Sequence, residues 1–173
     1  MWVILAVRVA GSLPVLRWAF AGAVVAILVD LSDLFLRAYL DLGGVRNYQS
    51  FDKWCDQVYL AVFLVVALRW EGPARAIAIA LYAFRMVGFA LFEVTGERWL
   101  LMLFPNVFEF WFVFVAFTRH WWRSFSWRPR PTAFALAGAA AAKLFHEYAL
   151  HVGRWFDSFT PKDVVAWLLG PFG

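Results

Sequence analysis

Long apolar runs separated by short polar breaks dominate the chain. The first run is unbroken from Trp18 to Val29 and ends in a stretch that mixes apolar residues with aspartates. Crossing a bilayer as a helix takes about 20 residues, and five runs have that length. We predict spans over residues 15–40, 51–70, 74–94, 98–118 and 132–152. The pattern therefore predicts an all-α integral membrane bundle forming a single transmembrane domain over residues 1–173.

Shorter elements are predicted at both ends. Residues 1–13 are apolar but interrupted by Arg8, and we expect them to form an interfacial or partly inserted helix. Residues 160–163 resemble a capping box that opens a short helix ending at Leu169, which we expect to lie on the membrane surface. Pro105 falls inside the fourth span and should kink it, because its ring removes a backbone hydrogen bond.

The composition supports a membrane protein. Hydrophobic residues make up 64% of the chain and charged residues 16%, against about 25% charged in a typical soluble domain. Cys55 is the only cysteine, which excludes an intramolecular disulfide and a thiolate zinc cluster. Residues 1–13 lack the basic region and cleavage site of a secretory signal, so we expect them in the mature chain. The expected partners are the lipid bilayer and either further copies or a larger membrane complex; nucleic acid is not expected.

The basic residues predict an orientation in the cell membrane. The loop after the fourth span contains four arginines and should be cytoplasmic. Alternation then places eight basic residues inside and five outside, with the N-terminus in and the C-terminus out. The inside group is Arg8, Arg17, Arg69, Arg75, Arg119, Arg123, Arg128 and Arg130.

Alternation also brings the deep polar residues to one half of the membrane, the outer half in this orientation. Ionisable residues inside a membrane are costly and usually serve a function, so these residues form the predicted site. Asp30, Asp33 and Arg37 lie on one helical stripe of the first span. The later spans contribute Arg85, Glu93, Asn106, Glu109, Lys143, His146, Glu147 and His151.

Each stripe has a functional and a structural interpretation. Lys143, Glu147 and His151 follow one another at four-residue spacing. Imidazole and carboxylate groups suit Zn, Mn or Fe, but Lys143 and Glu147 would also neutralise each other within the helix. For Arg85 we expect a buried ion pair with Glu109 or Glu147 rather than substrate contact.

The formal charges favour a positively charged ligand. Five deep acidic residues face three deep basic residues, which leaves a charge of −2 with neutral histidines. An excess of carboxylates favours a cation or protons over a free anion. Carboxylates crowded in this way also suit proton exchange.

The aspartates carry one family resemblance. Asp30-x-x-Asp33 followed by Asp52-x-x-x-Asp56 resembles the four-aspartate signature of CDP-alcohol phosphotransferases, although Leu34 stands where that family has glycine. The resemblance covers about 27 residues. It implies that the four aspartates hold two divalent metal ions, the only cofactor that the sequence suggests. It also implies transfer of a phosphoalcohol from a CDP-linked donor.

Three functions therefore remain open. The first is binding or translocation of a cation or protons by the polar cluster. The second is metal-dependent catalysis within the membrane on a lipid headgroup or phosphoester. The third is an accessory subunit whose buried charges neutralise one another and specify assembly.

Overall fold

The computed structural model describes residues 2–39, 48–97 and 99–149, with side chains described over 4–32, 53–97 and 99–149. All elements in these ranges are helical and no strand occurs among them, which confirms the all-α prediction. The elements are α1 (Trp2–Ser12), a 3₁₀ turn (Leu13–Leu16), α2 (Ala19–Tyr39), α3 (Tyr48–Ala67), α4 (Gly72–Thr95), α5 (Trp99–Leu103), α6 (Val107–Trp121) and α7 (Pro129–Glu147).

Among the described residues, two stretches are long and apolar enough to cross a membrane. They are Gly72–Thr95 and Trp99–Trp121, and they coincide with the predicted third and fourth spans. Length and composition alone identify them. The apolar helices Ile4–Leu16 and Ala19–Ser32 are shorter.

Proline and glycine set several of the helix boundaries. The helix predicted from residue 15 begins instead at Ala19, because Pro14 lies in a separate 3₁₀ turn. Pro105 interrupts the fourth span completely, leaving α5 and α6 on either side. Gly96 ends α4 with φ of +73°, a left-handed conformation that glycine adopts without steric cost. The end of the fifth span and the predicted helix near Leu169 lie outside the described residues.

Helix α1, predicted as an interfacial or partly inserted helix, packs against the other helices of the bundle. It packs against α2 and α3, and Arg8 is only 4% exposed. Gly11 makes close approach to α2 feasible, since a Cβ at this position would lie 2.8 Å from a methyl group of Val29. The 3₁₀ turn packs against Gly22, near the start of α2. Residues 2–16 therefore run antiparallel to α2.

Aromatic rings form the centre of the bundle. Phe112 stacks between Phe63, at 4.2 Å between ring centroids, and Trp70, at 5.0 Å. Trp111 is fully buried and donates its indole N–H to the Ala74 carbonyl oxygen at 3.1 Å. Ring packing and the hydrogen bond from Trp111 to Ala74 therefore help to hold α3, α4 and α6 together.

Candidate functional site

The most deeply buried ionic group links three helices. Arg8 forms an ion pair with Asp30 of α2 at 2.8 Å and donates a hydrogen bond to Asp56 of α3 at 2.9 Å. Lys53 approaches Asp56 from one turn earlier on α3, at 3.1 Å. These four side chains, the Arg8 cluster, carry two positive and two negative formal charges and so neutralise one another.

Arg8 therefore corrects two sequence-based expectations. The predicted orientation puts Arg8 on the cytoplasmic side and Asp30 and Asp56 in the outer half, and these predictions are incompatible because Arg8 contacts both carboxylates. It was also missing from the charge count, so part of the predicted negative excess is neutralised within the bundle. The local sequence around Arg8 does not predict this contact, because Asp56 is 48 residues away along the chain.

A second polar group lies between α3 and α6. Glu109 accepts hydrogen bonds from the Tyr59 hydroxyl at 3.4 Å and from the Asn106 side-chain amide at 3.0 Å. Both donors are neutral. In the described part of the chain, no Lys, Arg or His nitrogen lies within 4.0 Å of its carboxylate. The side-chain oxygen of Asn106 is buried and has no hydrogen-bond donor.

Arg85 has a different partner from the one expected. Its guanidinium donates to the backbone carbonyl oxygens of Leu101 at 3.3 Å and Phe104 at 2.9 Å. In a continuous helix the Leu101 oxygen would accept from the N–H of residue 105, which proline lacks. The expected ion pair with Glu109 or Glu147 is wrong, because the guanidinium instead fills the hydrogen-bonding gap that Pro105 creates.

Helix α7 carries its own ion pair. Lys143 and Glu147 lie 2.8 Å apart at four-residue spacing, as the structural interpretation of this stripe anticipated. The Lys143 ammonium also lies 5.8 Å from the centroid of Phe110, on the neighbouring helix α6. His146 is on the same side, with its ring 5.9 Å from the Phe110 ring.

Helix α3 connects the first two groups. Lys53, Asp56 and Tyr59 follow one another at three-residue spacing, so they share one helical stripe. Asp56 of this stripe contacts Arg8, and Tyr59 contacts Glu109. Glu93 joins the same end of the bundle, but it is exposed and accepts from the Trp54 indole at 3.3 Å.

Several predicted site residues cannot be placed. The side chains of Asp33, Arg37 and Asp52, and all of His151, lie outside the described residues. Over the described residues, no group of three or more His, Cys, Asp or Glu side chains is arranged to hold a metal ion. Asp30 and Asp56 are instead bound to Arg8. The four-aspartate metal site therefore stays a prediction.

Comparison with known proteins adds no further constraint on the site. No family model, curated protein or solved structure matches the chain.

Proposed function

We propose that this protein is a multi-span membrane bundle. Helices α2, α3, α4 and α7 and the pair α5–α6 supply the five predicted spans. Helices of 19 to 24 residues extend about 28–36 Å, close to the thickness of a bilayer core of about 30 Å. Ion pairing within the Arg8 cluster and between Lys143 and Glu147 supports this placement, since unpaired charges in lipid are costly.

The packing of α1 changes the proposed topology. The basic loop between α6 and α7 still places that end of the bundle in the cytoplasm, where Arg69 and Arg75 also lie. Because residues 2–16 run antiparallel to α2, the N-terminus falls on the opposite side. Both termini are then outside, whereas the sequence alone indicated an N-terminus inside.

We further propose that the protein binds a proton or a small cation at Glu109. One observation carries this proposal: Glu109 is the deep carboxylate that has only neutral partners in the described part of the chain. Among the described residues no basic group, Lys143 included, lies within ion-pair distance of the Glu109 carboxylate, and such a carboxylate favours binding of a proton or a cation. The carboxylate oxygens and the unpartnered oxygen of Asn106 are also the kind of ligands that hard cations prefer.

The test compares Glu109→Gln with two matched substitutions. Glu93→Gln removes an exposed carboxylate at the same end of the bundle, and Glu147→Gln removes one that has a basic partner. The purified proteins are reconstituted into vesicles that contain a pH-sensitive dye, and proton, Na⁺ and K⁺ gradients are imposed in turn. Binding of the same ions is measured in detergent by calorimetry.

Glu109→Gln should abolish the ion response, and Glu93→Gln should retain it. An equal response from wild type and Glu109→Gln would overturn the Glu109 site. Loss in all three variants would also contradict it, because the effect would then follow net charge rather than this position.

A second function is favoured by the Arg8 cluster. Its four charges neutralise one another across three helices, as expected for an accessory subunit whose buried ion pairs specify assembly. This candidate predicts no ion response in either the wild-type protein or Glu109→Gln. It also predicts that substitutions in the Arg8 cluster reduce assembly.

A further inference from the structure

The cytoplasmic end of the proposed bundle has a marked excess of positive charge. The sequence contains no Asp or Glu between Glu109 and Glu147, but this stretch contains four arginines, at positions 119, 123, 128 and 130. Within the described residues, none of these arginines lies within ion-pair distance of a carboxylate. Their charge is available to an external anion.

Two of these arginines line a pocket. The pocket has a volume of about 230 Å³ and is formed by Thr118, Arg119, Trp122, Arg123 and Trp127. Arg119 lies in the last turn of α6 and Arg123 lies in the turn that follows, and both line the pocket. The lining combines guanidinium groups, which bind phosphate oxygens through paired hydrogen bonds, with indole rings.

Aromatic packing holds the wall of the pocket in place. Trp127 packs edge-on against the fully buried Trp111, at 6.2 Å between centroids. Phe125 packs in the same manner against Phe114 of α6 at 5.3 Å and against Trp127 at 4.9 Å. The loop is thereby fixed onto the bundle, so the pocket is formed without a ligand.

An apolar groove lies beside the part of α6 that precedes this pocket. It has a volume of about 470 Å³ and lies between α6 and α7 beside Phe20. Phe110 and Phe114 line the groove, and Thr118 lines the pocket, so one stripe of α6 at four-residue spacing passes from groove to pocket. The stripe extends about 12 Å along the helix. Ala135, Gly138 and Ala142 form the α7 side.

We propose that the groove and the pocket together bind one anionic phospholipid. Its phosphate contacts Arg119 and Arg123, and an acyl chain lies along the groove. The basic pocket requires a negative charge, the groove requires an apolar chain, and their continuity along α6 requires both in one molecule. Basic clusters at the cytoplasmic side of membrane helices attract anionic lipid headgroups in this way.

The headgroup half is tested by lipid binding to the purified protein in a neutral detergent, measured by native mass spectrometry. Phosphatidylglycerol is compared with phosphatidylcholine and with soluble glycerol phosphate. Arg119→Gln/Arg123→Gln should weaken phosphatidylglycerol binding about 30-fold, equivalent to about 2 kcal/mol. The control variant Arg128→Gln/Arg130→Gln removes the same charge from the same loop, at positions outside the pocket lining. It should weaken phosphatidylglycerol binding less than about threefold.

The acyl half is tested by filling the groove. A Cβ at Gly138 would meet no other atom within 4 Å, and Gly138 lines the groove, so we expect Gly138→Phe to fold and to add a ring to the groove. It should weaken phosphatidylglycerol binding at least about tenfold. Ala137→Phe adds the same ring at the neighbouring exposed position, which does not line the groove, and should bind as wild type.

Three results would overturn the proposal. They are equal binding of phosphatidylcholine and phosphatidylglycerol, equal losses from the two arginine pairs, and binding of glycerol phosphate as tight as that of the lipid. The proposal rests on the membrane placement and not on the chemistry of Glu109. Glu109→Gln should therefore leave lipid binding unchanged, so either proposal is able to fail alone.

Discussion

A single arginine determines how the N-terminal helix is used. Arg8 forms ion pairs with two carboxylates from different helices, so its removal leaves Asp30 without this partner and Asp56 with only Lys53 among the described contacts. We expect Arg8→Gln to destabilise the protein by about 3 kcal/mol, the lower end for a broken buried pair. The lower end applies because the Asp30 side chain is 29% exposed.

Thermal unfolding in detergent measures this effect at the residue scale. Arg17→Gln is the control, since Arg17 is a nearby arginine that is exposed. It should change stability by less than about 0.5 kcal/mol. Equal losses of stability from Arg8→Gln and Arg17→Gln would contradict this prediction, because the effect would then follow removal of any positive charge and not the contacts of Arg8.

The helix break at Pro105 couples α4 to α5, because proline lacks the backbone N–H that would complete the helix. Arg85 of α4 donates to the carbonyl oxygen of Leu101, which Pro105 leaves without its helical donor. We expect Arg85→Met to cost about 2 kcal/mol in the wild-type background, the value of a hydrogen bond to a charged group. In a Pro105→Ala background the cost should fall by about 1 kcal/mol, because alanine restores the backbone donor.

A double-mutant cycle on thermal stability measures this coupling between elements. Arg75→Met, in the exposed first turn of the same helix, provides the control cycle and should show no coupling to residue 105. Additive effects of Arg85→Met and Pro105→Ala would contradict the assignment of Arg85 to the helix break. Gly88 supports the same junction, because a Cβ there would approach Phe104 to 2.3 Å.

At the scale of the whole molecule, the antiparallel course of α1 predicts where the chain begins. Single-cysteine variants in a Cys55→Ser background are labelled in intact cells with a maleimide that does not cross membranes. Trp2→Cys and Glu97→Cys should react, and Glu71→Cys should react only after permeabilisation. Glu71 and Glu97 are both exposed, in the turns at opposite ends of α4. If Trp2→Cys, like Glu71→Cys, reacted only after permeabilisation, the N-terminus would lie inside.

The sequence predicted the helical class and a kink at Pro105, because both follow from local composition, whereas the structure shows a complete break there. The gathering of Asp30, Asp56, Glu109 and Arg85 at one end was also expected, since it follows from the alternation of helix directions. The partners of Arg8 and Arg85 were not predicted. The carboxylates of Arg8 are distant in sequence, and Arg85 binds backbone oxygens that a search among charged side chains does not consider. Pro105 was the sequence feature that could have predicted the partner of Arg85, because a proline there leaves the Leu101 carbonyl oxygen without its helical donor.

The stretch from Glu109 to Glu147 has an electrical consequence. It contains four arginines and no acidic residue, so moving its loop across the bilayer would carry four positive charges against the membrane potential. Each charge costs about 2.3 kcal/mol at 100 mV, so the four together cost about 9 kcal/mol. An energised membrane would therefore hold the bundle in one orientation after insertion, in addition to any preference that the insertion machinery imposes.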